Sequence, residues 1–273
     1  MAVSDPGLPS DRSSGLNDEA LKAAAPRRRF GIFPVRGYRP SVPRGRRVYA
    51  VGDIHGCHDL LVSLLGKILS DAARSTAKPE IVFLGDYIDR GPDSSEVIVR
   101  LLDLQRTVSS HFVRGNHDQA LLDFLALPST YREWERFGAG ATLLSYGVQP
   151  PQSHELPSLI AARDRLARAL PAAHLRFLHA LQPSVTIGDY IFVHAGIRPD
   201  VPLSNQSLHD LMWIRDEFLE SSSNHGKIVV HGHTPVAEPD CRQNRIGIDT
   251  GAYSTGRLTA LVLEGNRRRF LYS

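Results

Sequence analysis

The chain has 273 residues, of which 42% are hydrophobic and 22% are charged, an ordinary composition for a soluble globular protein. This length fits one large α/β domain better than two small domains. The only cysteines, Cys57 and Cys241, form no C-x-x-C pair, which argues against a disulfide-stapled secreted fold and against a thiolate zinc site. We therefore expect a reducing, cytoplasmic location.

The excess of basic charge belongs to the N-terminal end. Residues 1–47 contain nine Arg and one Lys against four acidic residues, a net charge of +6, whereas the remaining residues carry −3. Because residues 1–46 are also rich in Pro, Gly and Ser, we interpret them as a disordered or loosely docked extension that precedes a folded domain over residues 47–273. A nucleic-acid partner is not expected, except through this extension, and no apolar run is long enough to suggest a membrane partner.

The folded domain begins with apolar runs that alternate with segments of helical periodicity. Strands are predicted over residues 47–53, 80–86 and 111–116, and helices over 58–75, 94–107 and 118–127. Residues 129–182 are predicted to be mostly helical, and short β-type runs with turn residues between them follow. The pattern predicts an α/β fold with a βαβα first half and a β-rich second half.

Polar side chains follow the predicted strands where each strand ends. In an open α/β sheet these ends and their loops gather at one edge, where ligands bind. Imidazole, carboxylate and carboxamide donors without thiolate suit Mn²⁺, Fe²⁺ or Zn²⁺, and they are more than one tetrahedral ion needs. Two ions roughly 3.5–4 Å apart that share one carboxylate would use all of them. The predicted donors are Asp53, His55, Asp86, Asn116, His194 and His231. We expect His233 at the rim of this site and not as a ligand.

Five motifs in order, "GDIHG", "GDYIDRG", "GNHD", "HAG" and "HGHT", lie within residues 48–253. Together they closely resemble the phosphoprotein phosphatase branch of the calcineurin-like binuclear metallophosphoesterases, the Ser/Thr phosphatases, in its compact bacterial and phage form. The resemblance implies two mixed β-sheets flanked by helices in four layers. It also implies hydrolysis of phosphate monoesters by a hydroxide that bridges two divalent metal ions. Mn²⁺ is the expected ion, with Fe²⁺ or Zn²⁺ as alternatives.

The resemblance also implies a role for each matching residue. Asp53 and His55 match the ligands of the first ion, Asp86 matches the bridging ligand, and Asn116, His194 and His231 match the ligands of the second ion. His117 matches the general acid that protonates the leaving alkoxide, and Asp89 matches the carboxylate that orients it. Arg90 and Arg215 match the arginines that grip the phosphoryl oxygens.

The residue at position 89 helps to distinguish two classes of substrate. Symmetrical diadenosine tetraphosphatases share the metal core but typically have alanine where this chain has Asp89, which favours a Ser/Thr protein phosphatase. Hydrolysis of diadenosine tetraphosphate or another nucleotide polyphosphate remains the alternative. A catalytically inactive phosphopeptide-binding module is disfavoured, because such a protein should have lost a ligand or the acid, and this chain has both.

Overall fold

The structure, a computed structural model, describes residues 39–273, so residues 1–38 of the predicted extension lie outside it. The first described residues already pack on the domain. The Val42 amide donates to the Gly265 carbonyl at 3.0 Å, and the Val42 side chain is buried. Among the described helices, none has the length and apolar character needed to cross a bilayer.

The strands of the described residues form two mixed five-stranded sheets. The strands are β1 (Arg46–Val51), β2 (Lys78–Phe83), β3 (Ser109–Phe112), β4 (Val185–Ile187), β5 (Tyr190–Phe192), β6 (Ile228–His231), β7 (Asp240–Cys241), β8 (Arg245–Gly247), β9 (Thr259–Glu264) and β10 (Arg267–Tyr272). In the first sheet the order is β10-β9-β1-β2-β3, with β1, β2 and β3 parallel and β9 antiparallel to both neighbours. In the second the order is β4-β5-β6-β8-β7, with β5, β6 and β8 parallel between antiparallel edge strands.

The helices form where apolar residues recur at helical spacing. In α1 (His58–Ala72) the residues Leu61, Leu64, Leu65 and Ile68 are buried on one face, as a period of 3.6 residues requires. This helix ends at Ala72, three residues before its predicted end. The helices are α1 (His58–Ala72), α2 (Ser94–Leu104), α3 (Asn116–Ala126), α4 (Tyr131–Trp134), α5 (Ala139–Ser145), α6 (Leu156–Ala169), α7 (Ala172–His179), α8 (Leu208–Trp213), α9 (Asp216–Leu219) and α10 (Ala252–Thr255).

The two sheets pack face to face between helical layers. In β1 the side chains alternate: Val48 and Ala50 join the apolar core between the sheets, whereas Tyr49 and Val51 join the core beneath the helices. On the outer face of the second sheet, Val229 packs in a third cluster that contains residues of α8 and α9. The predicted α/β fold with two mixed sheets flanked by helices is therefore confirmed. Its parallel strands aim their carboxyl ends at one edge.

Candidate active site

Asp86 lies at the centre of the polar cluster at this edge, three residues beyond the end of β2. Its Oδ2 lies 3.5 Å from Nε2 of His55 and 3.5 Å from Nε2 of His194. Its Oδ1 accepts the backbone N–H of His117 at 3.1 Å. The Asp86 carboxylate, which itself follows β2, is therefore contacted by segments that follow three other strands, β1, β3 and β5. A single oxygen in this position can bridge two cations.

Backbone carbonyls fix the proton of two histidines. His55 Nδ1 lies 3.0 Å from the Ile88 carbonyl, and His194 Nδ1 lies 2.9 Å from the Leu84 carbonyl. A carbonyl only accepts, so each Nδ1 carries the hydrogen, and the lone pair of Nε2 faces Asp86. Such a carbonyl contact is the usual orienting device of a metal-binding histidine. Both rings are therefore ready to coordinate an ion through Nε2.

Three potential metal-donor atoms converge on the other side of Asp86. Asn116 Oδ1 lies 2.8 Å from His194 Nε2 and 3.0 Å from His233 Nδ1, and the two nitrogens lie 3.1 Å apart. His194 Nε2 and Asn116 Oδ1 are both acceptors, so their close approach is unfavourable without a positive charge between them. Asp86, His194 and His233 form one group whose donor atoms lie within 4.8 Å of one another, and His55, Asp86 and His117 form a second. The two groups share Asp86.

Asp53 is buried beside these groups, and one of its oxygens is unsatisfied. Its Oδ2 accepts the backbone N–H of His233 at 2.9 Å, whereas no described residue hydrogen-bonds its buried Oδ1. A buried carboxylate oxygen without a partner is costly unless a cation neutralises it. Gly232 lies against this oxygen so closely that any Cβ there would overlap it. The donor set therefore fits divalent cations.

The structure brings five of the six predicted donors together and leaves His231 outside the cluster. His231 is the last residue of β6, and its ring packs against Phe218 with centroids 5.1 Å apart. Strand alternation explains this, because His231 shares a face with Val229, which belongs to the outer cluster of the second sheet. His233, expected only at the rim, supplies the converging nitrogen instead.

A signal in the sequence distinguishes the two histidines. Asp53, Asp86 and Asn116 each directly follow a glycine at the end of a strand, and in "HGH" only His233 does so. After this glycine His233 takes a left-handed φ of 64°, and its ring lies in the cluster, with Nδ1 3.0 Å from Asn116 Oδ1. The sequence pattern therefore offers the residue beyond the glycine, His233, as a donor candidate beside the last residue of the strand.

Asp118 holds the two loops that carry Asp86 and Asn116. Its buried carboxylate accepts the backbone N–H groups of Asp86 and Gly115 at 3.0 Å each and that of Tyr87 at 3.1 Å. These bonds also start α3 at Asn116, two residues earlier than predicted, because the Asp118 carboxylate accepts the backbone N–H of the N-cap residue Gly115. Sequence reasoning assigned Asp118 no structural role.

Electrostatics around Asp86 are set by histidines. Burial by itself would raise the pKa of the Asp86 carboxyl, but the neighbouring rings of His117, His194 and His55 hold it below its ordinary value. For His55, burial dominates and lowers the pKa to about 3. At neutral pH the centre therefore holds an ionised Asp86 and a neutral His55, which are the protonation states that metal coordination requires.

His117 and Asp89 form a buried pair next to the donor groups. His117 Nδ1 donates to Asp89 Oδ2 at 2.8 Å, and its Nε2 faces the centre, 3.7 Å from Asp86 Oδ2. Burial lowers the pKa of His117, but Asp86 and Asp89 more than offset this and raise it above its ordinary value. The ring can therefore carry a proton on Nε2 toward the centre.

Two arginines lie beside the same polar cluster. Arg90 Nη2 lies 3.4 Å from His117 Nε2, and its guanidinium stacks over the Tyr253 ring at 4.5 Å. Arg215 is exposed, and its Nη1 donates to the hydroxyl of Thr234, the residue after His233, at 3.3 Å. Guanidinium groups match the geometry of phosphate oxygens. The structure therefore brings both predicted arginines to the border of the cluster.

Two donor groups that share a carboxylate, an imidazole paired with a carboxylate, and bordering arginines are together typical of a metal-dependent phosphoester hydrolase. Residues 46–258 match the family model described as calcineurin-like phosphoesterase, and the chain belongs to this family. Its enzymatic class, a metal-dependent phosphoesterase, agrees with the resemblance seen in the sequence.

Curated relatives carry two kinds of name. The bis(5'-nucleosyl)-tetraphosphatase PrpE [asymmetrical] of Anoxybacillus flavithermus is 29% identical over 238 residues, 77% of this chain and 88% of that protein. Serine/threonine-protein phosphatase 1 of Salmonella typhimurium is also 29% identical, over 225 residues, 78% of this chain and 90% of that protein. A protein serine/threonine phosphatase structure from Saccharomyces cerevisiae superposes with a TM-score of 0.55 at 14% identity, covering 86% and 84% of the two chains, and shows the fold alone.

Proposed function

We propose that this protein is a two-metal phosphomonoesterase whose preferred substrates are proteins phosphorylated on serine or threonine. The observation that carries this proposal is the His117–Asp89 pair, buried and joined at 2.8 Å beside the metal-donor groups. An alkoxide is a poor leaving group, so its departure gains most from a positioned acid, by roughly 10²–10⁴-fold.

Six side chains would hold the metal ions. Asp53 and His55 would bind the first ion, Asn116, His194 and His233 the second, and Asp86 both. His233 takes the place that the sequence assigned to His231, because His233 Nδ1 lies 3.0 Å from Asn116 Oδ1. When bound, two divalent cations neutralise phosphoryl charge and lower the pKa of a water toward about 7.

The remaining polar groups have separate tasks. Arg90 and Arg215, at the border of the cluster, would orient the phosphoryl oxygens by paired N–H donors. His117 would deliver its Nε2 proton to the leaving oxygen, and Asp89 would keep the other proton on Nδ1. Asp86 and Asp89 both favour the charged imidazole, which is the form that can donate this proton.

Hydrolysis of dinucleoside tetraphosphates is the second candidate, favoured by the name of the PrpE relative. In that reaction a phosphate group leaves, and it needs protonation far less than an alkoxide does. An acid anchored as firmly as His117 would then contribute little. The chemistry of the pair therefore supports the phosphomonoester reading over the dinucleotide reading.

A side-by-side turnover assay with Mn²⁺ tests the substrate class. We expect a higher kcat/KM for a phosphoserine peptide than for diadenosine tetraphosphate. The reverse order would overturn the substrate class and leave the metal site standing. If mass spectrometry shows bound Mn²⁺ and neither substrate is turned over, the proposed function is overturned.

The substitution His117→Asn tests the acid. We expect the variant to keep its bound Mn²⁺ but to lose roughly 10²–10⁴-fold in kcat with phosphoserine peptide. The loss with p-nitrophenyl phosphate should be clearly smaller, because its leaving group needs no proton. Equal losses with both substrates would contradict the role of His117 as acid.

A further inference from the structure

Trp134 touches the acid pair from a segment that none of the motifs includes. It is the last residue of α4, its side chain is fully buried, and its indole Nε1–H donates to Asp89 Oδ2 at 2.8 Å. The same oxygen accepts the Nδ1–H of His117 at 2.8 Å. Trp134 and His117 are therefore joined through one carboxylate oxygen.

Thr142, on α5, completes the partners of this carboxylate. Its hydroxyl donates to Asp89 Oδ1 at 2.5 Å and accepts the backbone N–H of Asp89 at 2.9 Å. Asp89 has a left-handed φ of 71°, which is costly for a residue other than glycine and persists only where neighbours impose it. The carboxylate is therefore fixed at both oxygens and at its own backbone.

We propose that Trp134 is a positioning residue, whose indole N–H fixes the plane of the Asp89 carboxylate and so keeps His117 Nε2 directed at the leaving oxygen. The inference rests on the proposed function and adds a specific task for the segment of α4 and α5. A carboxylate held only by His117 can rotate about its Cβ–Cγ bond, and the ring that it orients can then tilt. Small losses of alignment at a reacting atom reduce rate steeply.

The packing of the same segment supports this task. Phe137, three residues after Trp134, packs its ring 5.2 Å from the His117 ring. Gly138 follows with a φ of 99°, and a Cβ there would lie 2.9 Å from the backbone nitrogen of Arg90. The residues between Trp134 and Thr142 thus contact the acid and the backbone of the phosphate-gripping arginine together.

Nuclear magnetic resonance tests the contact without any assay of activity. The chain contains two tryptophans, so the full-length protein gives two indole N–H signals, assigned with Trp134→Phe and Trp213→Phe. We expect Asp89→Asn to move the Trp134 signal and to leave the Trp213 signal in place. A Trp134 signal that does not respond overturns the proposal, whatever the substrate.

Kinetics of Trp134→Phe, with Mn²⁺ bound, separate positioning from packing. We expect kcat with phosphoserine peptide to fall about tenfold and kcat with p-nitrophenyl phosphate to fall less than about twofold, with both KM values unchanged. Tyr131→Phe, which alters a buried ring 6.2 Å from Trp134, is the matched control and should change neither kcat. Equal losses with the two substrates, or no loss, overturn the positioning role.

A second pair of variants keeps the test valid if Trp134→Phe folds poorly. Thr142→Val removes the hydroxyl on the other side of Asp89, and Thr142→Ser retains it. We expect Thr142→Val to show the same selective loss of kcat with phosphoserine peptide, and Thr142→Ser to keep the wild-type kcat. Equal kcat values for the two variants overturn the shared positioning of Asp89. If the wild-type protein does not hydrolyse the phosphoserine peptide, the proposed function fails, and the indole signal alone decides the contact.

Discussion

At the scale of single residues, the site contains buried carboxyl groups whose charged form is disfavoured by burial. Burial is the main cause that raises the pKa of Asp53 and of Asp249. The negative charge of Asp86 raises both pKa values further. Asp86 is the exception, because the surrounding histidines stabilise its charge. Cations in the centre would relieve this repulsion, which is the electrostatic counterpart of the unsatisfied Asp53 oxygen.

Because of Asp249, the free energy of unfolding depends on pH. Its pKa is raised from 3.8 to about 6 in the folded chain because burial disfavours the charged form. Between these values the folded chain keeps a proton that the unfolded chain loses. The stability contributed by this group is therefore complete below about pH 4 and is lost as the pH rises through about 6. The difference corresponds to about 3 kcal/mol.

We therefore expect Asp249→Asn, without metal, to gain stability relative to the wild type as the pH rises. The free energy of unfolding of the variant minus that of the wild type should increase by about 3 kcal/mol between pH 4 and pH 7. Urea titrations of both proteins in a chelator measure this difference. With saturating Mn²⁺ the increase should shrink, and a difference independent of pH would refute the raised pKa of Asp249.

At the scale of elements, the sequence predicted the strand ends better than it predicted the residues around them. Asp53, Asp86 and Asn116 each follow an apolar run at the end of a strand, which is a local signal. The apolar pattern does not fix a strand end to one residue, so it does not separate His231 from His233. The face of the strand decides between them, and this needs the exact register.

The anchoring of Asp89 could not be predicted for a different reason. Trp134 and Thr142 lie 45 and 53 residues beyond Asp89, in a segment whose pattern indicates only helices. Hydrophobic periodicity predicts that Trp134 is buried but does not predict what its N–H meets. Contacts of this kind depend on how α4 and α5 dock against the loop after β2, and a single sequence carries no signal for that docking.

Gly115 shows how tightly the loops are packed at the centre. A Cβ at this position would overlap both the carboxylate and the backbone nitrogen of Asp86. We expect Gly115→Ala to destabilise the chain by about 1–3 kcal/mol, as overpacking does, and to lower the Mn²⁺ content. Calorimetry and metal analysis of the purified variant measure the two effects.

Gly66→Ala is the matched control, because a Cβ there meets nothing within 4 Å on the exposed side of α1. It should retain both metals and gain about 0.5–1 kcal/mol, since alanine favours a helix more than glycine does. If Gly115→Ala behaved like this control, the close approach of the two loops would not matter to the site.

At the scale of the whole molecule, the class and layer order were predictable, and the sheet orders were not. The motifs implied two mixed sheets flanked by helices, which the structure confirms. The pairing of β9 with β1, more than 200 residues apart in the chain, joins the end of the domain to its beginning, and no local pattern indicates it. The role of residues 1–38 stays a prediction, because they lie outside the described residues.

The metal centre would link the two sheets, since Asp53, Asp86 and Asn116 follow strands of the first sheet and His194 and His233 follow strands of the second. A ligand that binds only the folded chain stabilises it by about 2.7 kcal/mol at 100 times its Kd, which corresponds to a rise in Tm of about 5–10 °C for a chain of this size. We expect Mn²⁺ to raise the Tm of the wild type by this amount and a chelator to reverse it. Asp86→Asn should lose both the increase and the activity, whereas Asp123→Asn, an exposed carboxylate of α3, should keep them. An equal rise in Tm for Asp86→Asn and the wild type would show that Asp86 does not join the two sheets through shared cations.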